Sequence, residues 1–105
     1  MISLHNSIGG IKNLLSFTNS KDEEAALNQV ILGLNSEPET IFRTHSIKKF
    51  KGIGANVFEI KKNKLRICYM FKDGNIVILH AFRKQKGKTE KKDLEIIRKR
   101  SKDFN

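Results

Sequence analysis

The 105-residue chain carries 21 lysines and arginines against 11 acids, a formal net charge of +10, and 38% of it is hydrophobic. This length and hydrophobic content favour one folded domain over residues 1–105, with a single modest core. The apolar runs are far shorter than the roughly 20 residues that span a bilayer, and the N-terminus has no signal-peptide pattern. A lone cysteine excludes an internal disulfide. We therefore expect a cytoplasmic protein without a membrane partner.

The first twenty residues predict little regular structure. Ile2 and Leu4 alternate with polar neighbours, which allows a very short first strand. Ser7 is the expected N-cap of a helix with apolar residues at positions 8, 11, 14 and 15. The adjacent glycines at positions 9 and 10 weaken that helix by roughly 1 kcal/mol each.

A stronger helix is predicted from about Asp22 to Leu34. Ser20 is its expected N-cap, and three acidic residues at 22–24 suit the positive end of the helix dipole. Apolar residues at 27, 30, 31 and 34 form one stripe along it. Pro38 is expected to end this region.

Residues 56–83 predict a three-stranded antiparallel meander. The turn over 72–75 contains Asp73-Gly74, a pair that tolerates the positive φ angles of a tight hairpin. In this register Tyr69 faces Ile78, and positions 67 and 65 face 80 and 82. A turn at Lys62-Asn63 would place Glu59 opposite Arg66.

Alternation along these strands sorts the predicted sheet into two faces. The first face is apolar and is expected to pack on the N-terminal helices; it contains Phe58, Ile60, Leu65, Ile67, Tyr69, Phe71, Ile76, Ile78, His80 and Phe82. The second face is cationic at one end and apolar at the other; its charged residues are Glu59, Lys61, Lys64, Arg66 and Arg83.

A basic loop over 84–88 follows the meander, and Thr89 is the expected N-cap of a last helix that runs to about Asp103. Leu94, Ile97 and Phe104 would form its inner side and cover the apolar end of the second face. The predicted fold class is α+β, with N-terminal helices on a small twisted antiparallel sheet of three to four strands and a C-terminal helix.

Charge is distributed unevenly. Residues 1–40 carry two lysines against five acids, whereas residues 41–105 carry 19 lysines and arginines against six acids. This asymmetry indicates a polyanionic partner for the second half, with nucleic acid favoured over an anionic membrane.

Several segments of the second half resemble motifs of a known protein family. Lys49-Phe50-Lys51-Gly52 and then Val57 to Lys61 are similar to the stretch KLKG…LYELR of phage Gp49-like and HigB toxins. Leu65 to Tyr69 resembles a strand of these toxins in which an arginine, two apolar residues and a tyrosine follow one another. Asp73 to Phe82 resembles their stretch DGRIVLLHGF. The end of the chain, Lys84 to Thr89 and Arg98 to Phe104, is similar to KKTQKTP…RKRKDY.

The resemblance covers roughly residues 46–104 and implies the RelE-like toxin fold. It further implies the toxin of a type II toxin–antitoxin system, acting as a ribosome-dependent endonuclease on messenger RNA. A cognate antitoxin of the helix-turn-helix type, in a hetero-oligomeric complex, is the implied protein partner. The loop over Gln85 to Glu90 departs from the family's TQKTP, which obscures which loop lysine matches which family position.

No metal-ligand spacing is present in the sequence, and no cofactor is expected. Metal-free RNA cleavage needs a group that takes the proton of the ribose 2′-hydroxyl and cations that stabilise the phosphorane. Arg66 is the first choice for the phosphate, alongside a structural pairing with Glu59. Lys61 would serve as the base if neighbouring cations lower its pKa, and is otherwise a solvated lysine. Arg83 and Lys86 could reach the same phosphate.

His80 titrates near neutral pH and therefore suits acid–base catalysis. Strict alternation, however, places it on the apolar face, which favours a core histidine unless a bulge turns it outward. Five further lysines are predicted to contact the RNA backbone: Lys49, Lys51, Lys64, Lys84 and Lys88.

Two other functions stay open at this point. The same fold hosts toxins that inhibit DNA gyrase, of the ParE type, and the chain also fits a phage-derived nucleic-acid-binding module without catalytic activity. The density of lysine and arginine favours the nuclease, and the absence of an evident base favours the binding module.

Overall fold

The computed structural model describes residues 2–51, 53, 56–85 and 87–104. The described residues form four helices and five strands. In chain order they are β1 (Ile2–Leu4), α1 (Ile11–Leu14), α2 (Lys21–Ser36), α3 (Pro38–Thr44), β2 (Ile47–Lys49), β3 (Val57–Lys62), β4 (Leu65–Lys72), β5 (Asn75–Arg83) and α4 (Lys91–Lys102). No helix among the described residues is long and apolar enough to cross a membrane.

The strands form one sheet in the order β1-β5-β4-β3-β2. The predicted meander is confirmed as β3, β4 and β5, which pair antiparallel. The predicted strand count of three to four is too low, because two three-residue strands extend the sheet at its edges. β1 joins β5 in parallel and β2 joins β3 antiparallel, so the sheet is mixed.

The N-terminal helices follow the prediction in part. Ser20 caps α2 as expected, since its side chain accepts a hydrogen bond from the backbone N–H of Glu23. The first helix is shorter than predicted: it begins after Gly10 and has no side-chain cap, so the assignment of Ser7 as its N-cap is wrong. Pro38 separates two helices and begins α3, where the proline ring suits the first helical turn.

Two hydrophobic clusters lie on opposite faces of the sheet. The larger one joins the stripe of α2 to inward residues of the strands, among them Ile60, Ile67 and Ile78. The smaller one lies under α4 and includes Val57 and Leu79. The helices therefore cover both faces, and β2 and β1 form the edges.

Helix α4 is held to its face of the sheet by one buried apolar side chain and by polar contacts. Ile97 is completely buried. Arg100 Nη1 donates to the backbone oxygen of Leu79 at 2.7 Å, and His5 Nε2 lies 2.6 Å from Asp103 Oδ2. The helix begins after Glu90, with no side-chain cap, so the assignment of Thr89 as N-cap is wrong.

The turn between β3 and β4 lies one residue later than predicted, with Asn63 at φ 56°. Lys61 pairs with Arg66, and Glu59 pairs with Cys68 instead of Arg66. The pairing thus moves by two positions, which preserves the face on which each side chain lies.

The hairpin between β4 and β5 has the predicted turn, and Tyr69 pairs with Ile78 as expected. A β-bulge follows: the next pair is Cys68 with His80, so Leu79 is the extra residue on β5. This bulge reverses the alternation beyond it. His80 moves to the α4 face, and Arg83 moves to the face of the N-terminal helices, so both predicted placements are wrong.

Candidate nucleic-acid interface

One cross-strand row on the α4 face connects the β2 edge to β5. Lys48 pairs with Glu59, Glu59 pairs with Cys68, and Cys68 pairs with His80. Cys68 is completely buried under α4. The helix therefore divides the row into two accessible ends, one at Lys48 and Glu59 and the other at His80.

The end at β2 opens into a cleft of about 530 Å³. We call it the cationic cleft; it lies between the β2 edge, the loop after β5 and the start of α4, and five of the described lysines line it: Lys48, Lys49, Lys51, Lys84 and Lys88. Four of them were predicted to contact RNA, and Lys48 was not. Lysines from two separate parts of the sequence thus surround one concave surface, which suits a polyanion.

The floor of the cationic cleft is apolar. Phe50 and Leu94 line it, and both side chains also pack against the smaller hydrophobic cluster. An aromatic ring among ammonium groups is the combination that single-stranded nucleic acids contact, with the phosphates on the lysines and a base on the ring.

Glu59 is the one acidic side chain among the described residues that line the cationic cleft. Its side chain is only 7% exposed, and it accepts no hydrogen bond from the described residues. Among the described residues the nearest cation is Arg66, whose Nε lies 3.4 Å from Glu59 Oε1. Despite this enclosure, the Glu59 side chain lines the cleft.

Arg66 lies beside Glu59 but is largely enclosed. Its side chain is 10% exposed, and Nη1 donates to the backbone oxygens of Asn63 at 2.7 Å and Leu65 at 2.9 Å. These bonds anchor the guanidinium to the β3–β4 turn. The predicted pairing with Glu59 is confirmed as an ion pair, although the two residues are not directly opposite in the ladder.

Two further predicted lysines lie near the β3–β4 turn. Lys61 is exposed and pairs across the strands with Arg66, on the same face as Glu59. Lys64 is exposed in the turn, and its backbone oxygen accepts a hydrogen bond from the N–H of Lys84 at 2.8 Å. This bond ties the turn to the start of the basic loop.

Arg83 is engaged on the opposite face of the sheet. Its two terminal nitrogens contact the carboxylate of Glu23 at 2.7 and 2.5 Å, which joins β5 to the start of α2. The hydrogen bond from Arg83 is the main reason that the pKa of Glu23 falls from 4.5 to about 2. The guanidinium is thus separated from the cationic cleft by the sheet.

His80 lies at the other end of the row and is bound to α4. Its Nε2 is 2.8 Å from Asp93 Oδ1 and donates the hydrogen bond, since an ionised carboxylate only accepts. Burial lowers the pKa of His80, and the Asp93 carboxylate offsets this only in part. The bulge therefore takes the histidine out of the large core, as the alternative prediction required, but not into the cationic cleft.

Comparison with known proteins decides the family. The sequence profile of the family described as phage derived protein Gp49-like matches residues 20–102, which is well over half of the chain. The chain belongs to the Gp49-like family. This family is one of the RelE/ParE-like toxin families, so the resemblance seen in the sequence is confirmed.

The fold of this Gp49-like protein is similar to that of a solved structure. A chain in the crystal structure of the archaeal RelE-RelB complex from Pyrococcus horikoshii OT3 has a TM-score of 0.56 and 20% sequence identity with it. The similarity covers 82% of this chain and 96% of that one. No curated protein sequence matches the chain.

The Gp49-like chain offers few other reactive groups in its described part. Burial strongly raises the pKa of Cys68, which makes its thiol a poor nucleophile. No group of three or more His, Cys, Asp or Glu residues among those described is arranged to hold a metal ion. Lys86, predicted as a catalytic residue, lies outside the described residues.

Proposed function

We propose that this Gp49-like protein is the toxin of a type II toxin–antitoxin system and that it cleaves messenger RNA, without a metal ion, in the cationic cleft. The observation that carries the proposal is the cleft itself, in which lysines of two chain segments surround one nearly buried carboxylate. The RelE-type fold and the family support it.

Binding in the cleft follows from its charges. The lysines contact phosphate oxygens without distinguishing bases, and they position the RNA strand. Phe50 provides a ring on which one base stacks. The strand then passes over Glu59, whose carboxylate is accessible from the cleft.

Cleavage proceeds by attack of the ribose 2′-oxygen on the adjacent phosphorus. The 2′-oxygen–phosphorus bond forms, the bond from phosphorus to the 5′-oxygen breaks, and a 2′,3′-cyclic phosphate and a 5′-hydroxyl result. Glu59 takes the proton of the 2′-hydroxyl, and lysine ammonium groups stabilise the charge of the phosphorane. Lys61, two residues from Glu59 on the same face, supplies the proton of the leaving 5′-oxygen.

Arg66 acts in this scheme as a positioning residue. Its guanidinium is anchored to two backbone oxygens and lies 3.4 Å from Glu59, so it holds the carboxylate in one place. This role replaces the direct phosphate contact predicted for Arg66. His80 and Arg83 support the fold near the site and have no part in the reaction.

The partners of the toxin follow from the same family relationship. The similar archaeal protein is in a RelE-RelB complex, and we infer that a cognate antitoxin binds and neutralises this chain in the cytoplasm, as a hetero-oligomer. An antitoxin of the helix-turn-helix type fits the HigB-like sequence features. The ribosome is the proposed site of action, where it would present the message in a fixed orientation to the cleft.

Induced expression in a bacterial host, with mapping of message ends, tests the nuclease. The wild-type chain is expected to stop translation and to produce cuts in phase with codons. In vitro, these cuts are expected only when ribosomes are present. The cuts carry 2′,3′-cyclic phosphates, as attack by the 2′-oxygen requires. Glu59→Gln keeps the shape of the side chain and is expected to slow cleavage by about 100-fold or more. Glu95→Gln, an exposed acid of α4 outside the cleft, is the matched control.

The alternative functions give different results. Damaged DNA with intact messages would support gyrase inhibition. RNA binding without cleavage or arrest would leave a nucleic-acid-binding module. Full activity in Glu59→Gln would contradict the role given to Glu59 while leaving the nuclease itself in place.

A further inference from the structure

A second pocket lies on the other side of the first turn of α4. It has a volume of about 300 Å³, and we call it the β5 pocket. The side chains that matter for its chemistry are Phe17, Asn19, His80, Phe82, Gln85 and Asp93. The two concavities lie side by side, because neighbouring residues line different ones. Lys84 and Leu94 line the cationic cleft, whereas Gln85 and Asp93, next to them in the chain, line the β5 pocket.

The two concavities differ in charge. The described lining of the cationic cleft has five lysines against one glutamate. The β5 pocket has two cations and two carboxylates, and these charges are already paired: Lys92 with Glu90, Arg83 with Glu23, and Asp93 with His80. In a protein of net charge +10, this pocket offers phosphate no excess of positive charge.

The lining of the β5 pocket combines flat rings with amide groups. The His80 imidazole stacks on the Phe82 ring, with centroids 5.6 Å apart and an interplanar angle of 14°. Phe17 supplies another ring, and the side-chain amides of Asn19 and Gln85 make no hydrogen bonds within the described part of the chain. Such amides offer both a donor and an acceptor, which matches the edge of a nucleobase.

We propose that the β5 pocket binds one nucleobase of the RNA whose backbone lies in the cationic cleft, and that it contributes the base preference of the protein. This proposal rests on the proposed function. The loop after β5 lies between the two sites, so a strand that crosses it places its phosphates on the cleft side and an unstacked base in the pocket. Phe82 is only 3% exposed, so the rings that contact the base are those of His80 and Phe17. These rings accept any base, and the two amides discriminate between bases by their edges.

The test uses short 2′-O-methyl RNAs, which cannot be cleaved, and a series in which one nucleotide at a time lacks its base. For the wild-type chain, removing one particular base is expected to weaken binding by about tenfold, which is within the range for base–aromatic stacking. Asn19→Ala/Gln85→Ala removes the edge contacts and keeps the rings, so the intact RNA should bind less tightly than it binds the wild-type chain but more tightly than that abasic RNA, whose own affinity should not change. Asn28→Ala/Gln29→Ala removes the same side-chain types from α2 and should bind like wild type.

A titration with nucleosides, which carry no phosphate, separates this proposal from the nuclease. Adenosine, guanosine, cytidine and uridine are added in turn while the side-chain amide NMR signals of Asn19 and Gln85 are followed. Shifts with at least one nucleoside support the pocket, even if no message is cleaved. If no nucleoside shifts these signals, or if the double variant weakens intact and abasic RNA equally, the pocket proposal is overturned whether or not cleavage occurs.

Discussion

Removing lysines from the cationic cleft should reduce the salt dependence of RNA binding by a calculable amount. Five of the described lysines line the cleft. Each phosphate neutralised on a single strand contributes about 0.7 to the slope of log K against log salt, so five contacts give a slope of about −3.5. Lys48→Ala/Lys88→Ala removes two contacts and should bring the slope to about −2.1.

The difference is large enough to measure. Between 50 and 200 mM salt, these slopes correspond to an affinity loss of about 130-fold for the wild-type chain and about 18-fold for the double variant. Fluorescence anisotropy with a ten-nucleotide 2′-O-methyl RNA measures both. Lys12→Ala/Lys21→Ala removes two exposed lysines of the N-terminal half and serves as the control. A double variant that keeps the wild-type slope, or a control that loses as much, would refute the assignment of the phosphates to the cleft.

Three further predictions concern stability. Ile97 of α4 is completely buried against the sheet, so Ile97→Ala should lower the free energy of unfolding by about 2–5 kcal/mol. The smaller change Ile97→Val should lower it by only about 0.5–1.5 kcal/mol. Urea denaturation measures both, and equal losses would contradict this packing. Arg83 lowers the pKa of Glu23 to about 2, so this ion pair stabilises the fold above pH 4.5, and the stabilisation is lost as the pH falls towards 2. Between these pH values, the stability of Glu23→Gln should depend less on pH than that of the wild-type chain, as measured by acid denaturation. The pKa of His80 is lowered in the fold, so the unfolded chain binds more protons and the stability should fall as the pH drops below 6.5. The melting temperature of His80→Gln should fall less over the same pH range. An equal fall in the variant and in the wild-type chain would contradict this role of His80.

Local sequence patterns predicted the elements that contain their own signals. The cap at Ser20 with the acids that follow it, and the Asp73-Gly74 turn, act over a few residues, and the structure has both where they were expected. The short strands β1 and β2 give a weaker signal, because three residues are too few for a period to be seen. Their place in the sheet depends on the partners β5 and β3, which lie far away along the chain.

The bulge at Leu79 is the main feature that the sequence did not predict. Strand β5 is apolar on both faces, so alternation contains no sign of an extra residue. One residue reverses the faces of His80 and Arg83, and each then meets a charged partner from a distant helix. The available sequence signal was His80, a polar residue that strict alternation assigned to the apolar core. A bulge was the alternative that would take it out of that core.

Glu59 illustrates the same limit within the site. The sequence placed it on the cationic face and explained it as the partner of Arg66, and that pairing is confirmed. Its position as a nearly buried carboxylate with access to the cleft depends on where α4 and the basic loop lie. A single acid among lysines was the sequence signal for this role.

The sequence by itself determined the charge asymmetry, the meander, the helices α2 and α4 and the resemblance to Gp49-like toxins, because each depends on residue types and short spacings. Only the tertiary structure decided which cations share one surface. Lysines from the β2 edge and from the loop after β5 are more than thirty positions apart in the chain, and they meet because β2 and β5 belong to one sheet under one helix. Strand order and register, which set such meetings, come from long-range packing that no local pattern encodes.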